Sequence, residues 1–136
     1  MDPLKEYVLD TMALVRLLDD SLPKKANAVI KGAEKGDNLL LVPEVVLGEF
    51  LYIALKGRLE TEDPVATTEE VLMHLRSSRY VSPVQMDFSC WEAFLEVGLA
   101  ELHDRIICSI ASARNVPLVT DDKEITAWGG VEIIWN

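Results

Sequence analysis

Four carboxylates stand where apolar segments end or where a helix should bury its face: Asp10, Glu49, Asp104 and Asp122. Tyr7-Val8-Leu9 is a short β-rich run that stops on Asp10, and Pro117-Leu118-Val119-Thr120 runs into Asp121-Asp122. Glu49 and Asp104 interrupt apolar stripes at helical spacing. An unpaired carboxylate in such a place costs several kcal/mol, so it is ordinarily paired, protonated or bound to a metal. Hard oxygen ligands gathered without a cluster of His or Cys suit Mg²⁺ or Mn²⁺.

Each acid also has a structural reading. Glu49 has the apolar Val45, Val46 and Ile53 at i−4, i−3 and i+4, which puts it within the stripe that should face the core. The alternative is an acid at the stripe's edge that reaches water. Asp104 shares its helix face with Ile107, Cys108 and Ala111, yet it lies near a helix start, where an N-cap competes. Asp10 and Asp122 sit just before segments that they too would cap. Thr11 and Thr120 adjoin these acids, and their hydroxyls would orient a carboxylate or a metal-bound water, or are ordinary strand-end threonines.

The elements that must position these groups alternate. Strands are expected at 7–9, 39–42, 80–84, 118–120 and 131–135, with Pro83 making the third short or placing it at an edge. Helices are expected at 11–18, 24–35, 43–56 with Pro43 in its first position, 65–76, 88–100 and 102–114, and Gly36 and Gly57 supply stops. This is the pattern of an α/β three-layer sandwich with a mostly parallel central sheet of about five short strands, in one domain over residues 1–136. In such folds sites form beyond the carboxyl ends of strands, near a topological switch point, and Asp10 and Asp122 both fall there.

Composition narrows the function. A formal net charge of −10 argues against a broad basic surface for nucleic acid, but not against a nuclease whose acids bind cations. Local basic residues at Lys24-Lys25, Lys31, Lys35, Lys56, Arg58, Arg76 and Arg79 read as solubilising charges, of which a subset would guide a substrate. Cys90 and Cys108 make neither a disulfide framework nor a zinc site and read as buried thiols, while His74 and His103 are too few for an all-His metal site. Trp91, Phe94, Trp128 and Trp135 read as core and packing residues. No run is long enough to span a bilayer and the N-terminus lacks a signal-peptide pattern, so a cytoplasmic location is expected. Neither a phosphate-binding glycine loop nor a Ser–His or Cys–His pair is present. A phosphohydrolase with Asp10 as nucleophile lacks its second acid, since Met12 stands in that place.

Four segments resemble the PIN-domain family, particularly its small VapC-like ribonucleases: Val8-Leu9-Asp10-Thr11-Met12-Ala13-Leu14, the Pro-led stretch Val42 to Tyr52 with Glu49, Leu102 to Ala111 with Asp104, and Leu118 to Ile125 with Asp121-Asp122. Gly130 to Ile134 is similar to the family's closing strand. Arg105 stands where the family usually has a small residue. The resemblance implies a divalent-metal-dependent endoribonuclease whose ligands are Asp10, Glu49, Asp104 and Asp122, with Asp121 the alternative fourth. It implies one or two Mg²⁺ or Mn²⁺ ions, an RNA substrate, a cognate antitoxin protein and a homodimer, with the helices 43–56 and 65–76 as its surface. The alternative is a non-catalytic PIN-fold module that binds RNA or partners.

Overall fold

The runs Val8–Leu9, Leu40–Val42 and Leu118–Val119 are buried on both sides of the chain, with no alternation. That is the signature of parallel strands covered on two faces. The computed structural model describes residues 3–136. Its sheet has five strands in the order β3-β2-β1-β4-β5. They are β1 (Lys5–Leu9), β2 (Asn38–Pro43), β3 (Val81–Val84), β4 (Leu118–Val119) and β5 (Ile133–Ile134). Every pairing is parallel, with Val8 opposite both Leu41 and Leu118 and Val42 opposite Pro83. Pro83 lies on an edge strand, where its missing N–H interrupts no second ladder.

The helices among the described residues are α1 (Thr11–Leu18), α2 (Lys24–Glu34), α3 (Glu44–Leu55), α4 (Pro64–Ser77), α5 (Phe88–Phe94), α6 (Leu102–Arg114) and α7 (Lys123–Trp128). Helices α2 and α3 pack on β2, α6 packs on β1 and α3, and α4 and α5 pack along α3 and α6. Phe50 of α3, Leu14 of α1, Ile110 of α6 and Ile125 of α7 are fully buried among the central strands' side chains. No helix of the described residues is long and apolar enough to cross a membrane.

Among the boundaries that differ from expectation, two have a plain physical reason. Pro43 does not open a helix but ends β2, with φ −56° and ψ 143°, and Glu44 begins α3. The helix expected to reach Ala100 stops at Phe94. Beyond it Val97 and Leu99 are buried while Glu96, Gly98 and Ala100 are exposed, a period of two that no helix provides. The released carbonyls are met by Arg105, whose guanidinium donates to Phe94 O (2.9 Å), Leu99 O (3.3 Å) and Leu95 O (3.4 Å) and stands 4.7 Å from the Phe94 ring centroid. The arginine that departs from the family pattern therefore fastens the connector leading into α6. Trp91 is also not a core residue: it is 44% exposed and packs edge-on against Phe94. Cys90 and Cys108 are buried free thiols, as expected.

Candidate metal centre

The chain runs from β1 through β2 to the β3 edge, then returns to lay β4 against the other side of β1. The sheet's switch point is thus the gap between the carboxyl ends of β1 and β4, where Asp10, Thr120 and Asp122 emerge. Asp10 is only 8% exposed. Its Oδ1 accepts from the Ala13 N–H (2.8 Å), capping α1, and its Oδ2 accepts a short hydrogen bond from the Thr120 hydroxyl. Thr120 is fully buried and its Oγ1 also accepts from the Asp122 N–H (3.1 Å). One hydroxyl therefore ties the two acidic strand ends together. Asp122 caps α7 through Ile125 N–H (2.9 Å), so Asp10 and Asp122 are both caps, and each keeps lone pairs for a further partner.

Asp104 proves not to be a cap. The N-cap of α6 is Glu101, whose Oε2 accepts from the Asp104 N–H at 2.7 Å. Asp104 stands in the first turn of α6, half-buried, and its carboxylate accepts no hydrogen bond among the described residues. Burial, followed by the charges of Asp122, Glu101, Asp10 and Glu124, pushes its carboxyl up to about 6. Asp10 is likewise raised, chiefly by burial, against the lowering effect of Thr120 and Ala13 and with the help of Asp122 and Asp121. Beneath them the Cys108 thiol is pushed up to about 12 by burial and by Asp104, Asp122 and Asp10, which leaves it protonated and inert.

The structure thus gathers Asp10, Asp104 and Asp122 into one electrostatic cluster. Asp121 is exposed at its rim. Glu49 stands on α3 and is half-buried, between a core-facing acid and one at the stripe's edge that reaches water. Its Oε1 is buried without a hydrogen-bond partner, 3.7 Å from Nδ1 of His103, which lies 3.2 Å from Glu101. Among the described residues no three His, Cys, Asp or Glu side chains stand close enough together to hold an ion as they are. In donor chemistry the set still suits a hard divalent cation: all-oxygen ligands, an orphaned buried Glu49 oxygen and a raised Asp104. Glu101, Glu124 and Arg16 near this edge were not singled out by spacing. Glu101 had a signal, an acid three residues before Asp104 at a helix start.

The fold is of the doubly wound α/β type, with acids at its switch point. The PIN-domain family model matches residues 7–130, and the chain belongs to that family, whose members are generally nucleases. Among solved structures it is similar to VapBC2 from Rickettsia felis bound to a DNA fragment from the promoter, at 20% identity and TM-score 0.73 over 96% of this chain and 99% of that one. DNA-bound VapBC from Salmonella typhimurium aligns at 16% identity and TM-score 0.70 over 96% and 97% of the two chains. FitAcB from Neisseria gonorrhoeae aligns at 14% identity and TM-score 0.64 over 96% of each. At these identities the likeness speaks for the fold. No curated protein sequence is significantly similar to the chain.

Proposed function

We propose that this protein is a divalent-metal-dependent endoribonuclease, the toxin of a VapBC-type pair, acting with Mg²⁺ or Mn²⁺ held by Asp10, Glu49, Asp104 and Asp122. The observation that carries the reading is Asp104, an unpartnered carboxylate raised to about 6 beside Asp10 and Asp122 at the sheet's switch point. Such a group is compensated by a cation. When bound, the ion supplies water activation and offsets the charge developing on the phosphate and the departing 3′-oxygen. Thr120 and the Ala13 N–H hold both Asp10 oxygens in place, the Ile125 N–H holds Asp122, and Asp104 is free to turn toward a ligand. No side-chain nucleophile is needed, and Cys108 stays out of the chemistry.

Purified protein should cleave single-stranded RNA with Mn²⁺, stop on chelation, and bind Mn²⁺ in a calorimetric titration that weakens below about pH 6, where Asp104 takes up a proton. The lack of three converged ligands favours the alternative, a non-catalytic module that binds RNA or partners. Absence of both Mn²⁺ heat and cleavage near neutral pH would decide for it.

The reading extends to a cognate antitoxin and to a homodimer. Supporting the dimer, the adjacent helices α3 and α4 leave the large apolar side chains Tyr52, Leu55, Val65, Leu72 and Met73 exposed. Light scattering should give twice the chain mass at micromolar concentration. A monomer there rejects the dimer.

A further inference from the structure

Beside Asp10 and Asp122 lies a pocket of about 280 Å³ lined by Asp10, Met12, Arg16, Asp121, Asp122 and Trp135. It is smaller than the several hundred Å³ that enclose a drug-sized ligand, which suits a single nucleotide unit of a longer strand. Two of its walls come from opposite ends of the chain. Arg16 lies on α1, and its guanidinium carbon stands 5.1 Å from the Trp135 ring centroid. The pair is fixed from both sides. Arg16 donates to Ser21 O (2.6 Å) and Ser21 Oγ (3.3 Å), and the Trp135 carbonyl accepts from the Ala26 N–H (3.0 Å). Among the described residues Arg16 has no carboxylate within ion-pair distance, although three aspartates line the same pocket. Met12 forms an apolar lip, 53% exposed, one turn before Arg16 on α1.

Aromatic rings and arginine planes are the surfaces on which unpaired RNA bases stack, and an arginine adds attraction for the strand's phosphates. In a chain of net charge −10 an arginine free of ion pairs, one pocket-width from the acid cluster, is a local exception to the charge that would repel RNA. We infer that this pocket is a nucleotide subsite: it takes the base next to the scissile phosphate against Trp135 and Arg16, with Met12 at its edge. Selectivity for that nucleotide then comes from the pocket, while the acids act on the phosphate. The inference rests on the ribonuclease reading for its placement, but its binding test does not depend on cleavage.

Binding is measured with short single-stranded homopolymer RNAs on Asp104→Asn protein, and cleavage of the same RNAs on otherwise unchanged protein. Trp135→Ala and Arg16→Ala should each weaken binding about tenfold and flatten the preference among the homopolymers. Trp135→Phe keeps a stacking face, so it should hold most of the affinity while losing the tryptophan quench that RNA produces. Met12→Glu changes only an exposed side chain and should also weaken binding, which guards against a folding defect at Trp135. If the unsubstituted protein cuts RNA and all these variants bind and cut as it does, the subsite is overturned and the nuclease reading stands. RNA binding with a Trp135-dependent quench but no cleavage supports the subsite and removes the nuclease reading. No RNA binding beside active cleavage overturns the subsite alone, and neither binding nor cleavage overturns both.

Discussion

Asp104→Asn is expected to lower metal-dependent RNA cleavage by about 10³-fold or more while making the metal-free protein more stable at neutral pH. The first effect follows from the several kcal/mol that a divalent ion contributes to phosphate chemistry, at about 1.4 kcal/mol per tenfold in rate. The second follows from the raised carboxyl. Its folded-state value of about 6 lies above the ordinary 3.8. The stability it contributes is therefore fully present below about pH 3.8 and is lost as pH rises through about 6. Above that, burial of the charge and repulsion from Asp122, Glu101 and Asp10 oppose folding. Asparagine keeps the shape and removes the charge. Because Asp104 is half-buried and keeps part of its surface in solvent, screening reduces the gain to about 1 kcal/mol, a rise in Tm of roughly 3–5 °C at neutral pH and little in acid. Thermal melts in chelator at acid and neutral pH, beside an RNA cleavage assay, read both effects. A variant that cuts at the unsubstituted rate, with contaminating nuclease excluded, removes Asp104 from the site. A variant less stable at neutral pH removes the electrostatic account.

A gain of stability on losing a carboxylate is what a cluster of mutually repelling acids predicts, and much of that cluster could be read before the fold was known. Val8–Leu9, Leu40–Val42 and Leu118–Val119 announce themselves because strands covered on both faces need no polar alternation. Once they are strands in one parallel sheet, Asp10 and Asp122 must fall at its carboxyl edge. What stayed hidden depends on side chains reaching across space. Glu101 takes the cap at α6 through a long side chain, although Ser, Thr, Asp and Asn are the usual caps. That exchange frees Asp104, for which spacing alone slightly favoured a cap over a ligand. Arg105 ends α5 from another helix, and Arg16 meets Trp135 from the far end of the chain. Periodicity has no term for either contact. Asp121 and Asp122 differ in local geometry: Asp122 acts on both Asp104 and Asp10 and caps α7, while Asp121 is exposed and acts on Asp10 alone of the two.

Thr120→Val should cost about 2 kcal/mol at neutral pH and weaken Mn²⁺ binding about 10- to 100-fold, the usual effect of removing a group that holds a metal ligand. Valine fills the same space, so packing is nearly conserved. What disappears is the donor to Asp10 Oδ2 and the acceptor for the Asp122 N–H. Asp10 is already raised by burial, and Thr120 is the largest influence holding it down. Without that hydroxyl its folded-state pKa climbs further, so the neutral form is favoured over a wider pH range. Stability carried by a raised acid is present below its ordinary 3.8 and fades as pH rises through the folded value. The difference between variant and unsubstituted protein should therefore be small in acid and largest at neutral pH and above. Thr120→Ser restores the hydroxyl and should recover most of the Mn²⁺ affinity despite the lost methyl group. Denaturant melts across that pH range separate the two possible roles of the residue. A loss of equal size in acid and at neutral pH would place the contribution of Thr120 in packing, and the acids of β1 and β4 would then have to be held by their helix caps alone.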